Sequence, residues 1–374
     1  MQNIDKSGDE HGLNQFAFDF YSKINETNKK NILFSPYSLF SAFAMLYEGA
    51  MDETKSEIKD TFHFSEIEIL RKYFDEFHNS ITQQGKEYEL RMSNGLWIDR
   101  KFTLINEYTN LIERYYRGIV KNLDFVNEPD ESRNIINYVI EDYTNKLIKD
   151  VIPSGFITKF TAMLLTNSIF FHGDWQTSFD PLNTKESPFY SSTKKIQVPM
   201  MLIPKIDVNY GSFDEGTILE LPYSGDEISM LILLPKKLEL SSLESILSIE
   251  KYEDWKHSMK KTTFAISIPR FKLNSKYYLS KILQSMGLEV PFDRKDANFS
   301  KISQEDIRIS EVMHQSYLSV DETGTEAAAV TVINMERKSG FFGFFANRPF
   351  LFIIQHNKTG NILFMGKIMD PTQQ

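Results

Sequence analysis

The chain has 374 residues, of which 41% are apolar and 25% are charged. These values are ordinary for a globular protein and exclude a disordered, collagenous or coiled-coil chain. Acidic residues outnumber basic ones by 51 to 42, and the net charge of −9 argues against a nucleic-acid partner. The absence of cysteine excludes disulfides, thiolate metal sites and cysteine nucleophiles.

The chain starts with MQNIDKSGDEHGLNQF, which is polar and acidic, whereas a secretory signal peptide needs a basic start and an apolar stretch. The longest apolar runs, such as residues 228–234, are too short to span a bilayer. We therefore expect no signal peptide and no membrane partner. The expected location is the cytoplasm, with release by an unconventional route left open.

Helices are predicted first along the chain. Apolar residues recur at helix spacing over residues 13–24. Ser35 followed by Pro36 is the pattern of an N-cap with proline at the first helical position, and the almost wholly apolar helix that it opens ends at Gly49. This helix is predicted to be buried on all sides. A further helix over residues 67–81 has one apolar stripe, and its charged face indicates no heparin site because acids outnumber bases.

Strands dominate the second part of the chain. A strand-like segment, SNGLWID, precedes a helix predicted near residues 130–148. The predicted inward residues of that helix are Ile136, Val139, Tyr143 and Leu147. Segments typical of strands follow at 163–171, 228–234, 264–268 and in a hairpin of 351–356 with 361–366. Helices first and strands later, without a βαβ rhythm or a linker, predict one α+β domain over residues 1–374.

Motifs of known enzyme chemistry are missing from the sequence. It contains no G-x-S-x-G elbow, no H-E-x-x-H, no Walker loop and no G-x-G-x-x-G. The seven histidines never pair at ligand spacing, so we expect neither a metal nor a cofactor. A hydrolase that uses serine and histidine would have only scattered residues to work with, which makes it the weakest functional hypothesis.

The most unusual stretch is DETGTEAAAVTVINMERKSGFFGFFANRPF at residues 321–350. Residues 327–335 carry no charge and no proline, and they begin with three alanines, which are poor strand formers. As a strand, the segment would direct small residues and then larger apolar ones to one face, namely Thr325, Ala327, Ala329, Thr331, Ile333 and Met335. Residues 337–340 are predicted to be exposed and open to proteolysis. Small residues suit a segment that slips between two strands already packed together.

At these residues the sequence resembles the serpins, an α+β family of protease inhibitors that work by conformational change. Five blocks stand in the family's order and at its spacing: NILFSPYSLFSAFAMLYEGAMDET (31–54), LLTNSIFFHGDW (164–175), LELPYSGDEISMLILLP (219–235), ETGTEAAAVTV (322–332) and ANRPFLFIIQHNKTGNILFMGKIMDP (346–371). In lacking a signal peptide, the sequence resembles the intracellular, ovalbumin-type members of the family. The resemblance implies about nine helices around three β-sheets and an exposed reactive-centre loop at about residues 322–345.

The resemblance also implies a function and a partner. A serine protease would cut the exposed loop, and the freed loop would then insert as a new strand in the main sheet while the enzyme is still attached as an ester. The expected partner is a trypsin-like serine protease, and the expected inhibitor is a monomer without cofactor, metal or heparin site. A serpin scaffold used for binding or chaperoning without trapping is the runner-up hypothesis.

Family loop length, counted from Glu322, places the cleaved bond between Lys338 and Ser339. Lysine suits a protease pocket with a buried carboxylate, because a desolvated ammonium group needs a paired charge. If the cleaved bond is instead the one after Arg337, the expected target is still a trypsin-like protease. Cleavage after Phe341 or Phe342 instead suits a chymotrypsin-like or dual-specificity enzyme.

Three further groups of residues are implied by the resemblance. The hinge of the loop comprises Glu322, Gly324, Thr325, Glu326, Ala327, Ala328 and Ala329, and its inward positions carry neither charge nor proline, which favours the inhibitory class. A polar cluster beneath the sheet centre, called the shutter, comprises Ser35, Ser38, Asn167 and His314. Trp175 marks the breach, the point where insertion begins. Phe344 is predicted to start a strand beyond the loop.

Overall fold

The computed structural model describes residues 8–83, 85–191, 194–324 and 343–373. These residues contain nine α-helices: Asp9–Thr27 (α1), Pro36–Gly49 (α2), Asp52–Phe62 (α3), Ile67–Thr82 (α4), Asn106–Tyr116 (α5), Pro129–Tyr143 (α6), Ser241–Glu244 (α7), Ile249–Ser258 (α8) and Ser280–Gln284 (α9). Within these described ranges, no helix combines the length and the hydrophobicity that a bilayer crossing requires.

The strands of the described ranges form two hydrogen-bonded sheets. They are Ile32–Phe34 (β1), Tyr88–Asp99 (β2), Ile119–Leu123 (β3), Met163–Gly173 (β4), Lys185–Tyr190 (β5), Lys195–Ser212 (β6), Gly216–Pro222 (β7), Ile228–Pro235 (β8), Lys260–Pro269 (β9), Phe271–Tyr278 (β10), Ile309–Val320 (β11), Gly343–Phe345 (β12), Phe350–His356 (β13) and Ile362–Ile368 (β14). The smaller sheet has the order β10-β11-β4-β2-β3, and the larger one runs β1-β14-β13-β8-β7-β6-β9-β12 with β5 added at β6. The expected α+β class is confirmed, and the larger sheet combines two of the three expected sheets because the long strand β6 belongs to both.

Helix α2 forms where its cap and its composition predict. The side chain of Ser35 accepts a hydrogen bond from the backbone N–H of Ser38, and Pro36 opens the helix. All residues of α2 are buried, which confirms the predicted helix without a solvent face. The helix therefore lies inside the molecule, between the two sheets and the surrounding helices, with contacts to β2, β4 and β14.

Helix α6 differs from its prediction. It ends at Tyr143 rather than near residue 148, because Asn145 and Lys146 adopt positive φ angles of 51° and 62° that break the helix. Tyr143 is 46% exposed instead of inward-facing. The buried positions of α6 are Ser132, Ile136, Asn137 and Ile140. Of the predicted inward residues, Ile136 is fully buried, and Val139 and Leu147 are half-buried against the same apolar cluster, so only Tyr143 was wrong.

Strands β4 and β11 are direct, parallel neighbours at the centre of the smaller sheet. Their register pairs Met163 with Ile309 at one end and Phe170 with Tyr317 at the other. A separate apolar cluster covers this junction on the side of α6, and it includes Leu164 and Phe170 of β4 together with Met313 and Tyr317 of β11. The chain leaves β11 at Val320, so the segment after it starts at the same end of the sheet at which β4 finishes.

Candidate functional site

The structure brings the four predicted shutter residues into one buried hydrogen-bond network. Ser35 and Ser38 lie at the start of α2, Asn167 in the middle of β4 and His314 in β11, and all four are fully buried. The sheet register places Asn167 directly opposite His314. The network therefore joins the two central strands to each other and to the helix beneath them.

His314 is held in its neutral form by its surroundings. Its Nδ1 lies within hydrogen-bond distance of the Asn167 Oδ1. Its Nε2 lies 3.1 Å from the backbone nitrogen of Ser35 and 2.8 Å from the Ser316 hydroxyl. A backbone N–H can only donate, so Nε2 must accept and the proton must reside on Nδ1. Burial lowers the pKa of His314 to about 3, which agrees with this neutral tautomer.

Asn167 contacts more groups than any other shutter residue. Its Nδ2 lies 2.9 Å from the carbonyl oxygen of Ser38, and it also approaches the Ser38 hydroxyl and the Asn94 Oδ1. Asn94 stands opposite Asn167 in β2 and donates to the Ser41 hydroxyl at 3.0 Å. The side chain of Asn167 thus links three strands and one helix.

Sequence reasoning missed three members of this network: Asn94, Ser41 and Ser316. One signal was present, because Ser35, Ser38 and Ser41 recur every three residues in an otherwise apolar helix and so form a polar stripe. Asn94 lies in the predicted strand SNGLWID, but nothing in the sequence indicates which strand it faces. The register of β2 and β4 is needed to show that Asn94 faces Asn167.

Trp175 and the first hinge residues form a second site, at the end of β4. The indole stacks on Tyr223 with 4.5 Å between ring centroids, and its Nε1 donates to the carbonyl oxygen of Asp321 at 2.9 Å. The backbone N–H of Trp175 donates to the carbonyl oxygen of Thr323 at 2.8 Å. This second site lies about 25 Å from Asn167, given about 3.3 Å per residue along β4.

Glu322 anchors the start of the hinge through a buried carboxylate that is 5% exposed. Its Oε1 accepts hydrogen bonds from the Arg270 guanidinium and the Thr184 hydroxyl, each at 2.5 Å. Burial acts to raise the pKa of Glu322, but the hydrogen bonds from Arg270 and Thr184 outweigh it and keep the pKa below its ordinary value. Neither Arg270 nor Thr184 was predicted from the sequence.

Gly324 occupies a position that no other residue can take without strain. Its φ is +150°, and an added Cβ would lie 2.2 Å from the carbonyl oxygen of Gly173 and 2.5 Å from the Cα of Asp174. Gly324 also forms an isolated β-bridge with Asp174. The missing side chain thus allows the hinge backbone to lie directly against the end of β4.

The remaining predicted hinge and reactive-bond residues lie outside the described residues; they are Thr325, Glu326, Ala327, Ala328, Ala329, Arg337, Lys338 and Ser339, with the alternatives Phe341 and Phe342. The chain re-enters the description at Gly343, in β12, which pairs in parallel with β9. Phe344 lies in this strand, which begins one residue before the predicted start, and its side chain is buried. In the described part of the chain, no three histidine or carboxylate side chains are gathered in a way that would hold a metal ion.

Comparison with known proteins identifies the family. The profile of the serpin family, described as serine protease inhibitors, matches residues 11–371. An uncharacterized serpin-like protein of Methanosarcina mazei is 39% identical over 370 residues, which cover 96% of this chain and 86% of that protein. The leukocyte elastase inhibitor of Xenopus tropicalis is 34% identical, covering 95% of this chain and 97% of that protein. The crystal structure of uncleaved ovalbumin matches with a TM-score of 0.89 at 28% identity, covering 98% of this chain and all of that one. The chain belongs to the serpin family.

Proposed function

We propose that the protein inhibits a trypsin-like serine protease by covalent trapping, with Lys338–Ser339 as the bond that the enzyme attacks. One observation carries the proposal. Strands β4 and β11 are paired directly, and the hinge residues Thr323 and Gly324 already lie at the end of β4, where a new strand would begin. The chain is thus arranged so that residues after Gly324 would run back between the two strands.

The chemistry begins as an ordinary acyl transfer. The protease serine attacks the carbonyl carbon of Lys338, an ester forms, and the Lys338–Ser339 bond breaks with a proton going to the departing amine of Ser339. Water would normally hydrolyse the ester. Insertion of about 14 residues at about 3.3 Å each would instead carry the bound enzyme some 45 Å along the sheet before hydrolysis occurs. The trap is therefore kinetic.

The shutter and the breach would set the barrier to insertion. The hydrogen bond between Asn167 and His314 spans β4 and β11, so it must break when these strands separate. Glu322 and Gly324 stay fixed at the breach and would direct the incoming segment. We assign the four shutter residues the role of a latch and Trp175 the role of a platform for the hinge.

The hinge composition supports inhibition over the alternative of a binding or chaperone protein. A charge at an inward position would be buried without a partner, and a proline would remove a hydrogen bond of the new ladder. The inward positions 325, 327 and 329 are threonine and alanine. The segment therefore has no side chain that would prevent its insertion.

Incubation with active trypsin tests the proposal. The wild-type protein should give a complex that survives SDS, together with a C-terminal fragment that begins at Ser339. Lys338→Glu should abolish the complex, whereas the matched Arg337→Glu should retain it, because only the former places a charge of the wrong sign in the specificity pocket.

Other outcomes of this incubation would contradict the proposal. Intact or merely nicked wild-type protein would favour the binding role. A fragment that begins after Phe341 or Phe342 would replace the basic specificity with a chymotrypsin-like or dual one. Equal unfolding temperatures before and after cleavage of the loop would exclude insertion as the driving step.

A further inference from the structure

Strand β10 forms an open edge of the smaller sheet. Within the described residues it stands at the end of the strand order and pairs with β11 alone. An edge strand directs every second backbone N–H and C=O group away from its sheet, so these groups have no neighbouring strand to bind. The edge of β10 can therefore accept one more strand from another polypeptide.

A groove of about 460 Å³ lies along this edge. Residues 273–277 of β10 all contribute to its lining, and because neighbouring residues of a strand face opposite ways, the groove follows the edge rather than one face. Leu33 of β1 adds to the apolar lining. The connection from α1 to β1 supplies most of the rest, and Asn31 holds it in place with four hydrogen bonds of 2.7–3.0 Å to the backbone of residues 369–373. The groove is thus present before any partner binds.

The two faces of β10 differ in character at this edge. Tyr277 faces the core, where its ring stacks on His314 with 6.5 Å between centroids. Lys272 and Lys276 face the side of α6, where the Lys272 ammonium lies 5.0 Å from the ring centroid of Tyr317. A strand added at the edge would therefore present alternate side chains to an apolar inner side and to a row of lysines on the outer side.

The lysines of this edge form no ion pair. The ion pairs of the described residues involve other lysines and none of Lys30, Lys272 and Lys276. The described residues that line the groove include two lysines and no aspartate or glutamate, although the whole chain has a net charge of −9. Burial lowers the pKa of Lys276, and the charge of Asp150 offsets only part of that effect. Lysines on an edge keep neutral strands away, whereas an acidic strand would supply the missing negative charge.

We propose that the edge of β10 is a docking site for an extended segment of another protein in which acidic and apolar residues alternate. The segment pairs with the backbone of β10, places carboxylates opposite Lys272 and Lys276, and lays its apolar side chains in the groove. The two lysines are four residues apart, or about 13 Å, so acidic residues at positions i and i+4 of the segment meet them. A polysaccharide or a nucleic acid would neutralise the lysines but leave the unpaired backbone groups and the apolar lining unused. The inference does not depend on the proposed function, because no residue of the reactive-centre loop takes part.

Fluorescence anisotropy with the labelled peptide acetyl-EVEVEVEVE-amide tests the inference. Wild-type protein should bind this peptide and should bind its isomer acetyl-EEVVEEVVE-amide, which lacks the alternation, roughly tenfold more weakly. The double variant Lys272→Glu/Lys276→Glu should bind the alternating peptide roughly tenfold more weakly than wild type does, because like charges then lie opposite each other. Lys236→Glu/Lys237→Glu is the matched control and should bind as wild type does, because it makes the same change of charge at exposed residues outside the groove lining.

The charge-reversed peptide acetyl-KVKVKVKVK-amide separates a specific contact from misfolding. It should bind Lys272→Glu/Lys276→Glu more tightly than it binds wild type, a gain that a misfolded variant could not produce. Equal binding of the alternating peptide and its isomer would overturn the inference, because attraction of a polyanion would then suffice. Wild-type affinity of the double variant for the alternating peptide would also overturn it, as would a wild-type protein that does not bind this peptide.

Discussion

Replacing Asn167 by alanine removes the centre of the shutter network. The side chain is fully buried, and no solvent is in position to replace its hydrogen bonds at once. The substitution deprives three buried groups of a partner: the Nδ1–H of His314, the carbonyl oxygen of Ser38 and the Oδ1 of Asn94. We expect Asn167→Ala to destabilise the protein more than any exposed asparagine substitution would.

The expected size follows from these three groups. The Nδ1–H of His314 and the Oδ1 of Asn94 are left without a partner, whereas the carbonyl oxygen of Ser38 keeps its hydrogen bond within α2. Each buried polar group left without a partner costs about 1–3 kcal/mol, so the total is about 2–6 kcal/mol. Unfolding entropy of about 2.1 cal/mol/K per residue gives roughly 0.8 kcal/mol/K for 374 residues. A loss of about 4 kcal/mol should then lower the Tm by about 5 °C.

Differential scanning calorimetry of the uncleaved protein measures this shift. Asn209→Ala is the matched control, because Asn209 makes a single exposed hydrogen bond to Glu220 at 2.8 Å and its loss should change the free energy of unfolding by less than about 0.5 kcal/mol. Equal Tm shifts for the two variants would show that the network contributes no net stability. The assignment of Asn167 as part of a latch would then be wrong.

Three further predictions concern the histidine, the glycine and the hinge. Burial lowers the pKa of His314 from 6.5 to about 3, so the unfolded state binds more protons than the folded state at pH values between these two. The free energy of unfolding should therefore fall by about 1 kcal/mol for each unit that the pH drops below 6.5. His314→Gln should reduce the dependence of the urea midpoint on pH, and an unchanged dependence would contradict this prediction. Gly324→Val should detach the hinge from Asp174 and accelerate hydrogen exchange of the Trp175 backbone amide. Gly8→Val is the control and should leave this exchange unchanged, because Gly8 has open space around it. Equal protection of the Trp175 amide in both variants would show that the close approach of Gly324 to β4 is unimportant. Thr325→Arg should turn the inhibitor into a substrate that is cut at the same bond, because insertion would bury an unpaired charge. Each 1.4 kcal/mol or so added to the insertion barrier favours hydrolysis of the ester about tenfold. If the variant traps the protease with wild-type stoichiometry, residue 325 does not enter the sheet.

The elements that were predicted correctly depend on local sequence patterns. The cap at Ser35 and the apolar stripe of α4 act over one or two helical turns, and both were read from the sequence. Helix α3 was missed because its buried positions include two threonines, so it lacks a clear apolar stripe. The predicted length of α6 was wrong because its apolar period was extended to Leu147, across Asn145 and Lys146, which have positive φ.

The candidate site depends on contacts between residues distant in the chain. Glu322 meets Arg270 across 52 positions and Thr184 across 138 positions. No periodicity encodes such pairs, because they follow from the order and register of the strands. The resemblance to serpins supplied the shutter residues themselves, but the partners Asn94 and Arg270 required the tertiary structure.

Because β4 and β11 are parallel, chain connectivity fixes the direction of a segment that follows β11 and inserts between the two strands. A segment that returns from the end of β11 runs antiparallel to both strands, so one parallel ladder is exchanged for two antiparallel ones. Backbone groups supply these hydrogen bonds, and side chains are constrained only at the positions that face the core. A peptide supplied from outside the molecule would therefore be selected by the small residues at its core-facing, alternate positions, whereas its other positions could vary widely.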